Sequence, residues 1–68
     1  MIKVDELKGR IVANGFTQAE IAEKLGITPK TLSLKFKKGV LDSDEIYKLI
    51  DILKIEDPVD IFFTQSVT

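Results

Sequence analysis

Helix-stopping signals interrupt this chain at short intervals. Asn14-Gly15, Gly26, Gly39 and Asp57-Pro58 cut its 68 residues into five pieces, each about the length of one short helix in a globular domain. Within the pieces, apolar residues recur at helical rather than strand spacing. They are Val4, Leu7 and Ile11; Ile21, Ala22 and Leu25; Leu32 and Phe36; Ile46, Leu49, Ile50 and Leu53; and Ile61 with Phe62 or Phe63. Start signals precede them. Thr17-Gln18-Ala19-Glu20 is a capping box, with Phe16 placed to staple against the helix it opens. Thr28-Pro29 is a hydroxyl cap followed by Pro at the first helical position, where its missing N–H costs nothing. Asp42 to Glu45 repeats the box with an aspartate cap. The pattern predicts helices over about 3–13, 17–25, 28–38, 42–54 and 58–63 within one domain spanning 1–68. The tail, 64–68, fits either a frayed end or a short strand pairing with another subunit. The fold class expected is a compact all-α, five-helix domain. A loose three-helix bundle with frayed ends is the alternative, and agreement of cap and stripe at each boundary favours five helices.

Composition removes several function classes. There is no cysteine and no histidine, so disulfides, thiolate zinc sites and Ser-His or Cys-His nucleophile pairs are excluded. No clustered carboxylate pair offers a substitute, so no enzyme, cofactor, metal or small-molecule substrate is expected. Asp57 and Asp60 are too few, and too near helix starts, to suggest a metal site. No apolar run approaches the ~18–20 residues that span a bilayer. Residues 1–10 are charged throughout, unlike a signal peptide. A reducing, cytoplasmic setting without membrane association is the default expectation.

The net charge of −1 conceals segregation. Residues 1–23 carry Lys3, Lys8 and Arg10 against Asp5, Glu6, Glu20 and Glu23, giving −1. Residues 24–38 carry Lys24, Lys30, Lys35, Lys37 and Lys38 with no acid, giving +5. Residues 39–68 carry Lys48 and Lys54 against Asp42, Asp44, Glu45, Asp51, Glu56, Asp57 and Asp60, giving −5. A basic block inside an acidic domain suggests one positive face, or merely a solvated helix side.

That block lies in the stretch QAEIAEKLGITPKTLSLKFKKG, residues 18–39. A short helix, a turn beginning at Gly and a second helix are the layout of a helix-turn-helix. Ala22 is small where the helices would cross, Gly26 takes a turn conformation that a side chain disfavours, Ile27 plugs the turn and Leu32 anchors the second helix. The outer side of the second helix carries Lys30, Thr31, Ser33, Leu34, Lys37 and Lys38.

Gln18, Ala22, Gly26, Ile27 and Leu32 resemble the helix-turn-helix pattern of the lambda-repressor-like family, which includes Cro and repressor proteins of temperate phages. With the flanking helices, the resemblance covers about residues 3–63. Two positions depart from the common pattern. Phe36 follows Leu32 by four residues rather than three, and Leu34 stands where a polar or basic residue is more usual. The resemblance implies a sequence-specific transcriptional regulator that binds a double-stranded DNA operator, with helix 28–38 in the major groove. Lys30, Thr31, Ser33 and Leu34 are then the candidate base contacts: Lys30 toward guanine, Thr31 and Ser33 by hydroxyl, Leu34 over a thymine methyl. Gln18, Thr28, Lys35, Lys37 and Lys38 are the candidate phosphate contacts. Lys30 also fits a phosphate clamp, and Thr28 also fits a purely capping role.

One such helix reads only a few base pairs, so a homodimer is expected, at least on DNA. Phe62, Phe63 and Val67 are the candidate dimer contacts, and Phe62 fits closure of the monomer core equally well. The competing reading is a helix-turn-helix protein-interaction module, such as an antitoxin or antirepressor, suggested by Leu34 on the outer face and by the acidic carboxyl half.

Overall fold

The computed structural model describes residues 2–62. They form α1 (Val4–Ala13), α2 (Gln18–Leu25), α3 (Pro29–Lys38), α4 (Ser43–Leu53) and α5 (Pro58–Phe62), with no strand among the described residues. The all-α, five-helix class therefore holds. Phe63 and the tail 64–68, with Val67, lie outside the described residues.

The local signals act as their chemistry requires. The Thr17 hydroxyl accepts from the Glu20 N–H at 3.1 Å while Glu20 Oε1 accepts from the Thr17 N–H at 2.8 Å. Thr28 caps α3 by accepting from the Thr31 N–H at 3.1 Å. Glu45 reaches back to accept the Asp42 N–H at 2.9 Å. Lys54, a non-glycine residue, closes α4 at φ 52°, a left-handed conformation that costs an ordinary side chain about 1–2 kcal/mol.

α2 packs against α3, and α1 touches both α2 and α5. One core joins them: Leu7 and Ile11 from α1, Ile21, Ala22 and Leu25 from α2, Leu32 and Phe36 from α3, Ile46, Leu49 and Leu53 from α4, Ile61 and Phe62 from α5. Leu41 and Ile55 complete it from the connections. Phe62 is 4% exposed and part of this core, which agrees with closure of the monomer core, one of the two roles expected for it. The residue faces the core because Ile61 and Phe62 are the buried positions of a five-residue helix that must dock against α1.

Polar ties join α1 and its flanking residues to residues 53–61. The Lys3 N–H donates to the Ile61 carbonyl at 2.8 Å. Arg10 donates to Asp57 at 3.1 and 3.4 Å and lies 3.7 Å from Glu6. Asn14 Nδ2 donates to the Arg10 carbonyl at 2.8 Å, and it approaches the Leu53 carbonyl at 3.5 Å.

Two glycines should respond oppositely to a methyl group. Gly9 is exposed within α1, and a Cβ there meets nothing within 4 Å; Gly9→Ala should stabilise by about 0.5–1 kcal/mol. Gly26 has equal space but sits at φ +77°, so Gly26→Ala should destabilise by about 1–2 kcal/mol. Urea unfolding of both variants checks the signs, and a stabilised Gly26→Ala would contradict the left-handed turn.

Candidate functional site

The candidate site is built from α2, the turn Gly26–Thr28 and α3. Gly26 ends α2 in the left-handed region, its N–H donating to the Glu23 carbonyl at 3.0 Å. The Ile27 N–H bonds the Ala22 carbonyl at 3.0 Å, and its side chain is partly buried against the core. The chain then turns through extended Thr28 into Pro29, the first residue of α3. Ala22 is fully buried, so no bulk holds the two helices apart at that point.

α3 is amphipathic in a narrow sense. Leu32 and Phe36, spaced i and i+4, are its buried residues. The opposite side therefore carries Lys30, Leu34, Lys37 and Lys38 at i, i+4, i+7 and i+8. All four are exposed, Leu34 at 50%. No acidic partner stands within ion-pair distance of Lys30, Lys37 or Lys38 among the described residues. Ser33 is exposed on one flank of this stripe.

The remaining sequence-derived candidates fall into different environments. Gln18 is exposed at the first position of α2. The Thr28 hydroxyl is committed locally: besides capping the Thr31 N–H, it donates to Thr31 Oγ1 at 2.9 Å. Thr31 is consequently partly buried, with its hydroxyl already engaged.

Lys35 departs most from its expected place. It lies on the flank of α3 that faces α4, where its ammonium donates to Glu45 Oε1 at 3.0 Å and lies 3.5 Å from Asp42 Oδ2. Its pKa is raised above the usual 10.5 by the hydrogen bond to Glu45 and by the charges of Glu45 and Asp42, against a lowering by partial desolvation. Lys24 likewise turns aside, its ammonium 5.5 Å from the centre of the Phe16 ring. Of the five lysines in the basic block, Lys30, Lys37 and Lys38 remain directed outward.

The surface between α2 and the start of α3 carries acidic side chains. An open depression of about 500 Å³ between α2 and the start of α3 is lined by Ala19, Glu20, Glu23, Ile27, Thr28 and Pro29. Two carboxylates thus stand beside the amino-terminal end of α3. No group of three or more His, Cys, Asp or Glu side chains among the described residues is arranged to hold a metal ion, and no helix among them is long and apolar enough to cross a membrane.

Glu45 is the functional neighbour that sequence reading assigned only to a cap. Its buried position, 7% exposed, comes from serving the Asp42 N–H and the Lys35 ammonium with one oxygen. Ten residues and a change of chain direction separate it from Lys35, so the spacing in the sequence carries no signal for the pair.

The described residues thus form a small all-α domain with three exposed lysines, Lys30, Lys37 and Lys38, on the outer side of α3. No protein-family model, curated protein or solved structure matches the chain.

The Glu45 contacts can be separated. Glu45→Gln keeps an acceptor for the Asp42 N–H and removes the charge, whereas Glu45→Ala removes both. Urea unfolding should place Glu45→Ala about 1–2 kcal/mol below wild type, with Gln recovering roughly half; equal losses would assign the whole effect to charge. The pH dependence has a definite sign. Because the folded-state ammonium of Lys35 is held above its ordinary value, its contribution is fully present below the unfolded-state pKa and is lost as pH rises through the folded-state pKa. Unfolding curves from neutral pH into the alkaline range should show this loss in wild type and not in Lys35→Met.

Proposed function

We propose that this chain is a sequence-specific double-stranded-DNA-binding regulator of the lambda-repressor-like, helix-turn-helix kind, with α2 and α3 as the motif and α3 in the major groove. The observation that carries the reading is the outer stripe of α3. Lys30, Leu34, Lys37 and Lys38 are exposed, and the three lysines are free of acidic partners among the described residues. A helix fits the major groove, and its first turns come nearest to base edges. Lys30 in the first turn is the candidate donor to guanine, Ser33 can reach a base from the flank, and Leu34 at the centre of the stripe can cover a thymine methyl. Lys37 and Lys38 neutralise phosphates, with Gln18 at the start of α2 as a further backbone contact. Thr28 and Thr31 act through the shape of the turn, since their hydroxyls bond each other. Two copies on a pseudo-palindrome with half-sites about 34 Å apart would extend the readout.

Selection of bound duplexes from a random pool tests the proposal. Retained duplexes should share a short motif, and affinity should fall with salt with a log–log slope near −1.8 per chain, from about 0.9 for each of the two phosphate-neutralising lysines, Lys37 and Lys38. Lys37→Ala should weaken binding equally across sequences and reduce the slope by about 0.9. Leu34→Ala should erase the preference for thymine over uracil at one position, a difference of about 0.8 kcal/mol for one buried methyl. Absence of any duplex binding, together with capture of a protein partner that Leu34→Glu abolishes, would replace this reading with that of a protein-interaction module.

A further inference from the structure

We propose that Glu45, assisted by Asp42, is a positioning residue that withholds Lys35 from the phosphate backbone and so limits sequence-independent attraction to DNA. The inference rests on the DNA-binding reading and deepens it. Four lysines of α3 could in principle meet phosphates: Lys30, Lys35, Lys37 and Lys38. The structure divides them, leaving three on the outer side and holding the fourth at the α3–α4 junction.

The hold is built from the acid side. Glu45 Oε1 is fixed first by the Asp42 N–H, a backbone bond independent of any lysine. The Glu45 side chain is 10% exposed, and the Lys35 side chain 26%. For Lys35 to swing outward, this carboxylate would lose its ammonium while still largely buried, which is unfavourable. Asp42, with a side chain 77% exposed, adds a weaker second partner at 3.5 Å. The effect of the largely buried Lys35–Glu45 pair on stability is separate from its effect on binding. Its distinct consequence is electrostatic. Non-specific affinity scales with the number of phosphates neutralised, whereas discrimination comes from base contacts. Removing one lysine from the phosphate count lowers the background against which Lys30, Ser33 and Leu34 must discriminate.

The test uses one random-sequence duplex and the full chain, with affinity followed by fluorescence anisotropy from low to physiological salt. Five proteins are compared: wild type, Lys37→Ala, Lys35→Met, the double variant Asp42→Asn with Glu45→Gln, and that double variant carrying Lys35→Met. Asn and Gln preserve the capping acceptors while removing charge, and far-UV circular dichroism verifies helix content. Lys35→Met should leave the salt slope at its wild-type value, while Lys37→Ala lowers it by about 0.9. The double variant should steepen the slope by about 0.9, and adding Lys35→Met should cancel that gain. A slope lowered by Lys35→Met in the wild-type background would overturn the proposal, since Lys35 would then be touching phosphate already. A gain that survives Lys35→Met, or no gain, would also overturn it, by tracing the effect to overall charge or to no effect at all. Should the double variant lose helix content, the Lys35→Met comparison decides alone. If wild type shows no salt-dependent binding, the DNA reading fails and this inference with it, an outcome separate from failure of the inference alone.

Discussion

Leu32 and Phe36 hold α3 to the rest of the molecule, and the character of the surface depends on how narrow that attachment is. Two buried side chains, 0% and 3% exposed, anchor a ten-residue helix. Full burial of such side chains stabilises by roughly 1.5–3 kcal/mol each, enough to seat the helix without drawing its other faces inward. Ala22 of α2 is buried in the same core, and the left-handed turn at Gly26 sets the direction in which α3 leaves α2. A broader apolar stripe would have buried Leu34 or its lysine neighbours. Lys8 of α1 lies over the ring of Phe36, its ammonium 6.0 Å from the ring centre, so even this buried anchor carries a polar cover.

The charges follow the same economy. A chain of net −1 can present a positive surface only if its acids sit elsewhere or are spent. Several are spent internally: Asp57 and Glu6 on Arg10, Glu45 and Asp42 on Lys35, Glu20 on the cap of α2. The Arg10–Asp57 contact also reinforces the seam between α1 and α5, which the Lys3–Ile61 backbone bond crosses as well. Arg10 and Lys35, which pair internally, therefore serve the shape of the domain, whereas Lys30, Lys37 and Lys38 make no ion pair among the described residues and line the outer stripe of α3. The apolar residue at the centre of that stripe gives it a chemical feature beyond charge.

The architecture was largely legible before any coordinates. Thr17 with Glu20, Thr28 with Pro29, and Gly26 and Gly39 are local devices whose geometry is set by residues within one turn of each other, and the observed helix bounds follow them. Core positions were equally readable, since helical spacing puts Leu7 with Ile11, or Ile46 with Leu49 and Leu53, on one face. The candidate surface was legible only in part. Lys30, Leu34, Lys37 and Lys38 follow from position on α3 once Leu32 and Phe36 point inward. Lys35 and Thr31 do not, because each is claimed by a particular partner. Phe62 was ambiguous for a related reason: in a five-residue helix the spacing of apolar residues does not by itself separate a core ring from a surface one.

The amino-acid sequence by itself determined the helices, their order, their caps and the apolar edge of each, because every one of these rests on contacts within a few residues. Tertiary structure alone decided which charges remain available. Arg10 finds Asp57 across 47 residues, and Lys35 finds Glu45 across ten and a change of chain direction. Pairing of that kind depends on where separate helices come to rest, and no local pattern of residues encodes it.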